Sequence, residues 1–293
     1  MDFSPQLIGL GAAVAYAAAN IASRRGLLFS TPLTATWVSM IVQSVVLWAI
    51  VLLRGAIPPV APLAVKLFII VGLMMPVIRL LSYTGMAKLG AARSTPLRAT
   101  HPLFSAAFAV ATLKEEINLA IALGTIFVVV GIMLICWQRE ERISSYRRWH
   151  VLLPLAAALL AGVVNPIVRY ALRFSNEPIF LSAVVGVVSL TTLGGTLALP
   201  NYSHRLRWNR QALRSFIVAA LFETMGFLLF VAALSVGPVV LVAPFIGTTP
   251  MWVLIGVVIL MRDIEKVNSR TVAGTLLTVA GTIVISVYPT QSH

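Results

Sequence analysis

Residues 118–137 read NLAIALGTIFVVVGIMLICW, twenty residues without a charge, carrying Gly124 and Gly131 seven positions apart. A bilayer core of about 30 Å is crossed by roughly 20 apolar residues in a helix, so this stretch predicts a membrane span. Residues 271–288, TVAGTLLTVAGTIVISVY, repeat the pattern with Gly274 and Gly281, again seven apart. An uncharged span with its echo about 150 residues later implies a duplicated membrane protein.

Working outward gives the other spans. Pro5–Ser23, Leu33–Leu53, Lys66–Lys88 and Pro96–Leu113 precede the first stretch. Val151–Ala171, Pro178–Leu199, Leu213–Val236 and Pro238–Met261 precede the second. The expected fold is an all-α integral membrane protein of ten transmembrane helices, arranged as two five-helix repeats. An odd number of spans per repeat inverts the second half relative to the first, an architecture used by transporters. The expected division is a first repeat over 1–137, a basic linker over 138–150 and a second repeat over 151–293.

Composition agrees. Of 293 residues, 59% are hydrophobic and 11% charged, against about a quarter charged in soluble domains. Lipid must cover such a surface. The single cysteine, Cys136, allows no internal disulfide and reads as packing filler. Met1 to Pro5 lacks a basic segment, so no cleavable signal peptide is expected. The net charge of +13 is explained by loops facing anionic lipid headgroups, with no nucleic-acid partner needed. With the N-terminus outside, fifteen lysines and arginines fall on the cytoplasmic face and five on the other. That bias places both termini outside.

The halves also match in letters. Asn20, Arg24, Phe29, Ser30 and Pro32 are answered by Asn165, Arg169, Phe174, Ser175 and Pro178. Pro102 is followed thirteen residues on by Glu115, as Pro250 is by Asp263. A proline in a span, an acidic residue after it and two glycines a heptad apart in the next span make the chain resemble the drug/metabolite transporter superfamily. The resemblance is to its bacterial EamA-like ten-helix members and covers nearly the whole chain; the second copy has aspartate where glutamate is usual. It implies secondary transport across a bacterial inner membrane, and leaves the cargo open among amino acids, drugs, sugar phosphates and other metabolites. The paired glycines are expected to let helices pack closely. Glu115 and Asp263, near span ends, are expected to cap the following helices or pair with Lys114 and Arg262.

Charges within spans are costly and point to function. Arg79 lies in the third span and Glu223 at comparable depth in the eighth, its pseudo-symmetric counterpart. Two readings stay open for them: a structural ion pair, or a substrate-binding site across the central cavity; Glu223 facing water alone would be a candidate proton carrier. Tyr83 follows on the Arg79 face. Ser94, Arg98, His101 and Ser105, spaced four, three and four apart, form a polar stripe on the fourth span. There Arg98 either contacts an anionic group or snorkels to the headgroups, and His101 donates a hydrogen bond or takes up a proton. Pro96 and Pro102 interrupt that span, as Pro244 and Pro250 interrupt the ninth, and free backbone carbonyls that only protein or a cavity can satisfy. Asn20 and Asn165 are candidate substrate contacts or interhelical hydrogen bonds, and Trp252 flanks the broken ninth span.

Other classes fit less well. No nucleophile elbow or aspartate pair supports an intramembrane protease, and no phosphate-binding Gly-Lys-Ser/Thr loop supports an ATP-driven pump. Neither enzymatic activity nor a cofactor or metal is expected. The expected function is alternating-access transport of a small anionic or zwitterionic metabolite, coupled to protons or to a counter-substrate, by a monomer or homodimer. The alternative is proton-coupled export of aromatic or cationic drugs, with Glu223 attracting the cation.

Overall fold

The computed structural model describes residues 5–55, 58–101, 103–104, 119–136, 147–197, 206–236, 245–265 and 267–287. Among them are ten α-helices, one short 3-10 turn and no strand. The first half supplies α1 (Pro5–Gly26), α2 (Pro32–Leu53), α3 (Pro62–Leu89), α4 (Ala91–Arg98) and α5 (Leu119–Cys136). After the turn Arg148–Val151 come α6 (Leu152–Leu172), α7 (Pro178–Leu197), α8 (Arg210–Val236), α9 (Thr249–Leu260) and α10 (Ser269–Val287). Among the described residues five helical stretches are long and apolar enough to cross a membrane: Gln6–Gly26, Pro32–Leu53, Pro62–Leu89, Pro178–Gly195 and Arg210–Ala233. Shorter apolar helices supplement them.

Local chemistry sets several helix ends. Thr31 caps α2 by accepting from the Thr34 N–H at 3.3 Å, and Pro32 occupies the first turn, where its missing N–H costs nothing. Asn209 accepts from the N–H groups of Gln211 and Ala212 at the start of α8. Asn268 accepts from the Thr271 N–H at 2.9 Å and so caps α10. Asp263, expected to cap this helix or to pair with Arg262, lies exposed in the preceding turn; the cap is Asn268, which stands next to the helix start.

The helices pack across the two halves. Helix α1 lies on α8 and α3 on α6, so the first helix of each half meets the third of the other. In the same way α2 meets α7, α4 meets α9 and α5 meets α10. This pairing is what a pseudo-two-fold relation between duplicated halves produces. Small residues allow it, since packing in lipid is driven by close approach rather than by hydrophobicity. A Cβ on Gly281 would lie 2.5 Å from the Gly124 carbonyl, and one on Gly274 2.7 Å from that of Gly131. The heptad glycines therefore seat α5 directly against α10. On the outside, α5 presents Leu119, Ile126 and Met133, each more than half exposed, a face suited to lipid.

The fourth span differs from its expected start. Helix α4 begins five residues before Pro96, directly after Gly90, whose φ of 83° turns the chain sharply out of α3. Pro96 sits inside α4, and the helix ends two residues later with a turn at Ala99–Thr100. A proline at 102 offers no N–H to the Arg98 carbonyl, which accounts for the stop. Pro250 stands in the first turn of α9, directly after a turn at Thr248 that separates this helix from the helical residues 245–247. Pro102, Pro244 and Ser105 lie outside the described residues. Pro76, in the middle of α3, is an interior proline that the sequence pattern did not single out.

Candidate functional site

Three helices of the first half and one of the second carry polar side chains to a common point. Ser39 and Gln43 lie on α2, Arg79 and Tyr83 on α3, Tyr16 and Asn20 on α1, and Glu223 on α8. The spacings of four residues along α1, α2 and α3 place each pair on one face.

Arg79 and Glu223 form an ion pair, Nη1 to Oε2 at 3.1 Å, with 13% and 26% of the two side chains exposed. The guanidinium also donates to Ser39 Oγ and to Gln43 Oε1. Ser39 passes its own hydrogen to Glu223 Oε2 at 3.0 Å, and the Tyr83 hydroxyl donates to the same oxygen at 3.4 Å. Arg79 is thus held by three acceptors and its charge is balanced. Desolvating the two ions costs less when further hydrogen bonds satisfy them, and here Ser39, Gln43 and Tyr83 supply those bonds.

This network forms one wall of a cavity of about 520 Å³, its open side included. Tyr16, Asn20 and Ser23 line it from α1, Ser82 and Met86 from α3, and Ser94, Thr95 and Arg98 from α4. The walls are hydroxyls, an amide, one neutralised ion pair, one further cation and the apolar side chains of Ala19 and Met86. Arg98 is exposed into this space, and no carboxylate lies within salt-bridge distance of it among the described residues. Asn20 uses its Nδ2 to donate to the Tyr16 carbonyl at 2.7 Å, a bond within its own helix that fixes the amide at the cavity wall.

The structure therefore brings together Asn20, Arg79, Tyr83, Arg98 and Glu223. His101 lies beyond the turn that ends α4, half-buried, and is not among the lining residues. Trp252 is not among the lining residues: its indole N–H donates to Thr248 Oγ1 at 3.2 Å, and it packs on the apolar cluster that includes the lining residues Tyr83 and Met86. Its position one helical turn after Thr248 gives it that local partner. Asn165 is in α6, its side chain outside the described residues. Ser39 and Gln43 escaped the reading of the sequence. A serine and a glutamine four apart in an otherwise apolar span are the signal that marks them.

A family model for EamA-like transporters matches the chain twice, over residues 4–137 and 148–287. The chain belongs to the EamA-like transporter family. It is a multi-pass membrane protein of the drug/metabolite transporter type, built of two EamA repeats. One solved structure, titled only as the crystal structure of a protein, aligns with 96% of this EamA chain and 95% of its own at a TM-score of 0.61. At 15% identity that likeness shows the fold alone. No curated protein matches the chain.

Proposed function

We propose that this EamA-family chain is a secondary transporter of a small anionic or zwitterionic metabolite. In this reading ten spans form two inverted repeats, residues 1–137 and 151–293 joined by the basic linker 138–150. The halves rock about the shared cavity by alternating access. The protein sits in a bacterial inner membrane with both termini outside, as its charge bias favours.

One observation carries the cargo class. Glu223 already balances Arg79, so among the described residues the cavity's uncompensated charge is the cation Arg98. A cation in a partly desolvated cavity attracts an anionic group more strongly than it would in water. Asn20, Ser94 and Thr95 around it offer hydrogen bonds that orient a polar ligand. Glu223, one quarter exposed, is the carboxylate toward which an ammonium group of a zwitterion would turn.

The test is a thermal-shift screen of the purified protein against anionic, zwitterionic and cationic metabolites, since a ligand that binds the folded state raises its stability. Stabilisation by an anion or zwitterion, lost in Arg98→Ala, is the expected result. Stabilisation by aromatic cations alone, lost in Glu223→Gln, replaces this reading with proton-coupled drug export.

A further inference from the structure

A second arginine–carboxylate pair lies away from the cavity network, at the end of α1. Arg24 Nε meets Glu265 Oε1 at 2.5 Å, and the two residues are 5% and 4% exposed. The same carboxylate accepts from the backbone N–H groups of Ala91 at 2.8 Å and Ala92 at 3.2 Å, the first turn of α4. Arg24 also donates to the Ala87 carbonyl at 3.4 Å. Gly90 makes the approach possible, because a Cβ there would lie 2.7 Å from the Glu265 carboxyl carbon.

The placement of these groups is telling. Arg24 follows Ser23, a cavity residue, and Ala87 follows Met86, another. Ala91 and Ala92 lie about one turn before the lining residues Ser94 and Thr95. Helices α1 and α4 therefore hand over, within one turn, to groups held by Glu265, and α3 to the Ala87 carbonyl held by Arg24. Glu265 itself belongs to the second half, in the connection between α9 and α10. Arg25 reaches across the same seam to the Leu260 carbonyl at 3.0 Å. Around them Ile21, Met86, Val253, Leu254 and Val257 form an apolar seal.

We infer that the Arg24–Glu265 clamp is the gate that closes the cavity at its Arg24 end and releases when the halves rock apart. The inference rests on the alternating-access reading above. A buried ion pair is suited to this task, because the attraction between its ions roughly balances the hydration they regain when exposed. Closed, the pair satisfies two N–H groups that would otherwise be orphaned at the start of α4. Open, water takes over both ions and both N–H groups, which offsets much of the cost of parting the ions. An apolar contact of the same size would gain nothing from being wetted.

Ser23 reports on the gate without any ligand. With the chain's lone cysteine replaced (Cys136→Ser), Ser23→Cys becomes the only thiol, and a membrane-impermeant sulfonatoethyl methanethiosulfonate is added to vesicles of either orientation. Glu265→Gln is expected to raise the modification rate about ten-fold from the Arg24 face alone, as the population shifts toward the open gate. Arg24→Lys, which keeps the charge and loses the planar fork, is expected to shift it the same way by about three-fold. An unchanged rate in both variants overturns the gate, as does an increase from both faces, the mark of a loosened fold. If the gate opens as described while no anion stabilises the protein, the cargo reading alone fails.

Discussion

Among the described residues two arginine–carboxylate pairs join the halves of this protein, and they are built differently. Arg24–Glu265 is buried, its carboxylate shared between a guanidinium and two helix N–H groups. Arg79–Glu223 is partly exposed, leans on the side chains of Ser39, Gln43 and Tyr83, and lines a cavity. The first is tied to backbone, the second to side chains that have rotamers to spare. A pair anchored to backbone can change partners only if helices move; a pair anchored to side chains can rearrange around a ligand. The difference separates a gate that moves only with its helices from a wall of the site.

The sharpest way to break that contrast is to delete one carboxylate at a time. Glu265→Ala leaves Arg24 buried without a counter-charge and two N–H groups of α4 uncapped, and is expected to cost about 3–5 kcal/mol. Thermal denaturation in detergent reads this as a large fall in Tm, and a fall no greater than that of Glu223→Ala would erase the distinction. Gly90→Ala attacks the same joint from the other side, forcing a Cβ against the carboxyl carbon and straining a φ of 83°. It should cost about 2 kcal/mol, less than removing the carboxylate, by the same measurement.

Glu223→Gln is expected to lower stability by only about 1 kcal/mol, since its partner keeps other hydrogen bonds and water reaches the pair. Its transport, measured as ligand exchange in proteoliposomes, should nonetheless be lost. Full activity in the variant, or in an Arg79→Ala/Glu223→Ala double variant, would make this pair structural as well. Arg98→Ala comes last in stability, with a change of about 0.5 kcal/mol or less, because the side chain is exposed. Its whole effect should appear as loss of the ligand-induced thermal shift.

Much of this was legible from the letters. The uncharged run at 118–137 and its echo at 271–288 placed α5 and α10, and their glycines predicted the close seat those helices take. Arg79 and Glu223, matched in depth on counterpart helices, meet at 3.1 Å. The acidic residue of the second signature copy was a weaker guide, and Glu115 of the first lies outside the described residues. Between α9 and α10 stand Asp263 and Glu265, two residues apart in one short connection. Asp263 fits the motif, yet it is Glu265 that turns inward. In a connection with no helical or strand period, spacing carries no information about which side chain faces the core.

The sequence by itself determined that this chain lives in a membrane, that it is duplicated, and that a few charges lie deep within its spans. Those properties follow from composition and periodicity, which are local, because the cost of placing a residue in lipid is incurred one segment at a time. Only the tertiary structure decided which charges neutralise each other and which does not. It spent Arg79 on Glu223, spent Arg24 on Glu265, and left Arg98 facing the cavity. Ion pairing acts over a few ångströms between residues 144 and 241 positions apart, and such proximity exists only once the helices have packed.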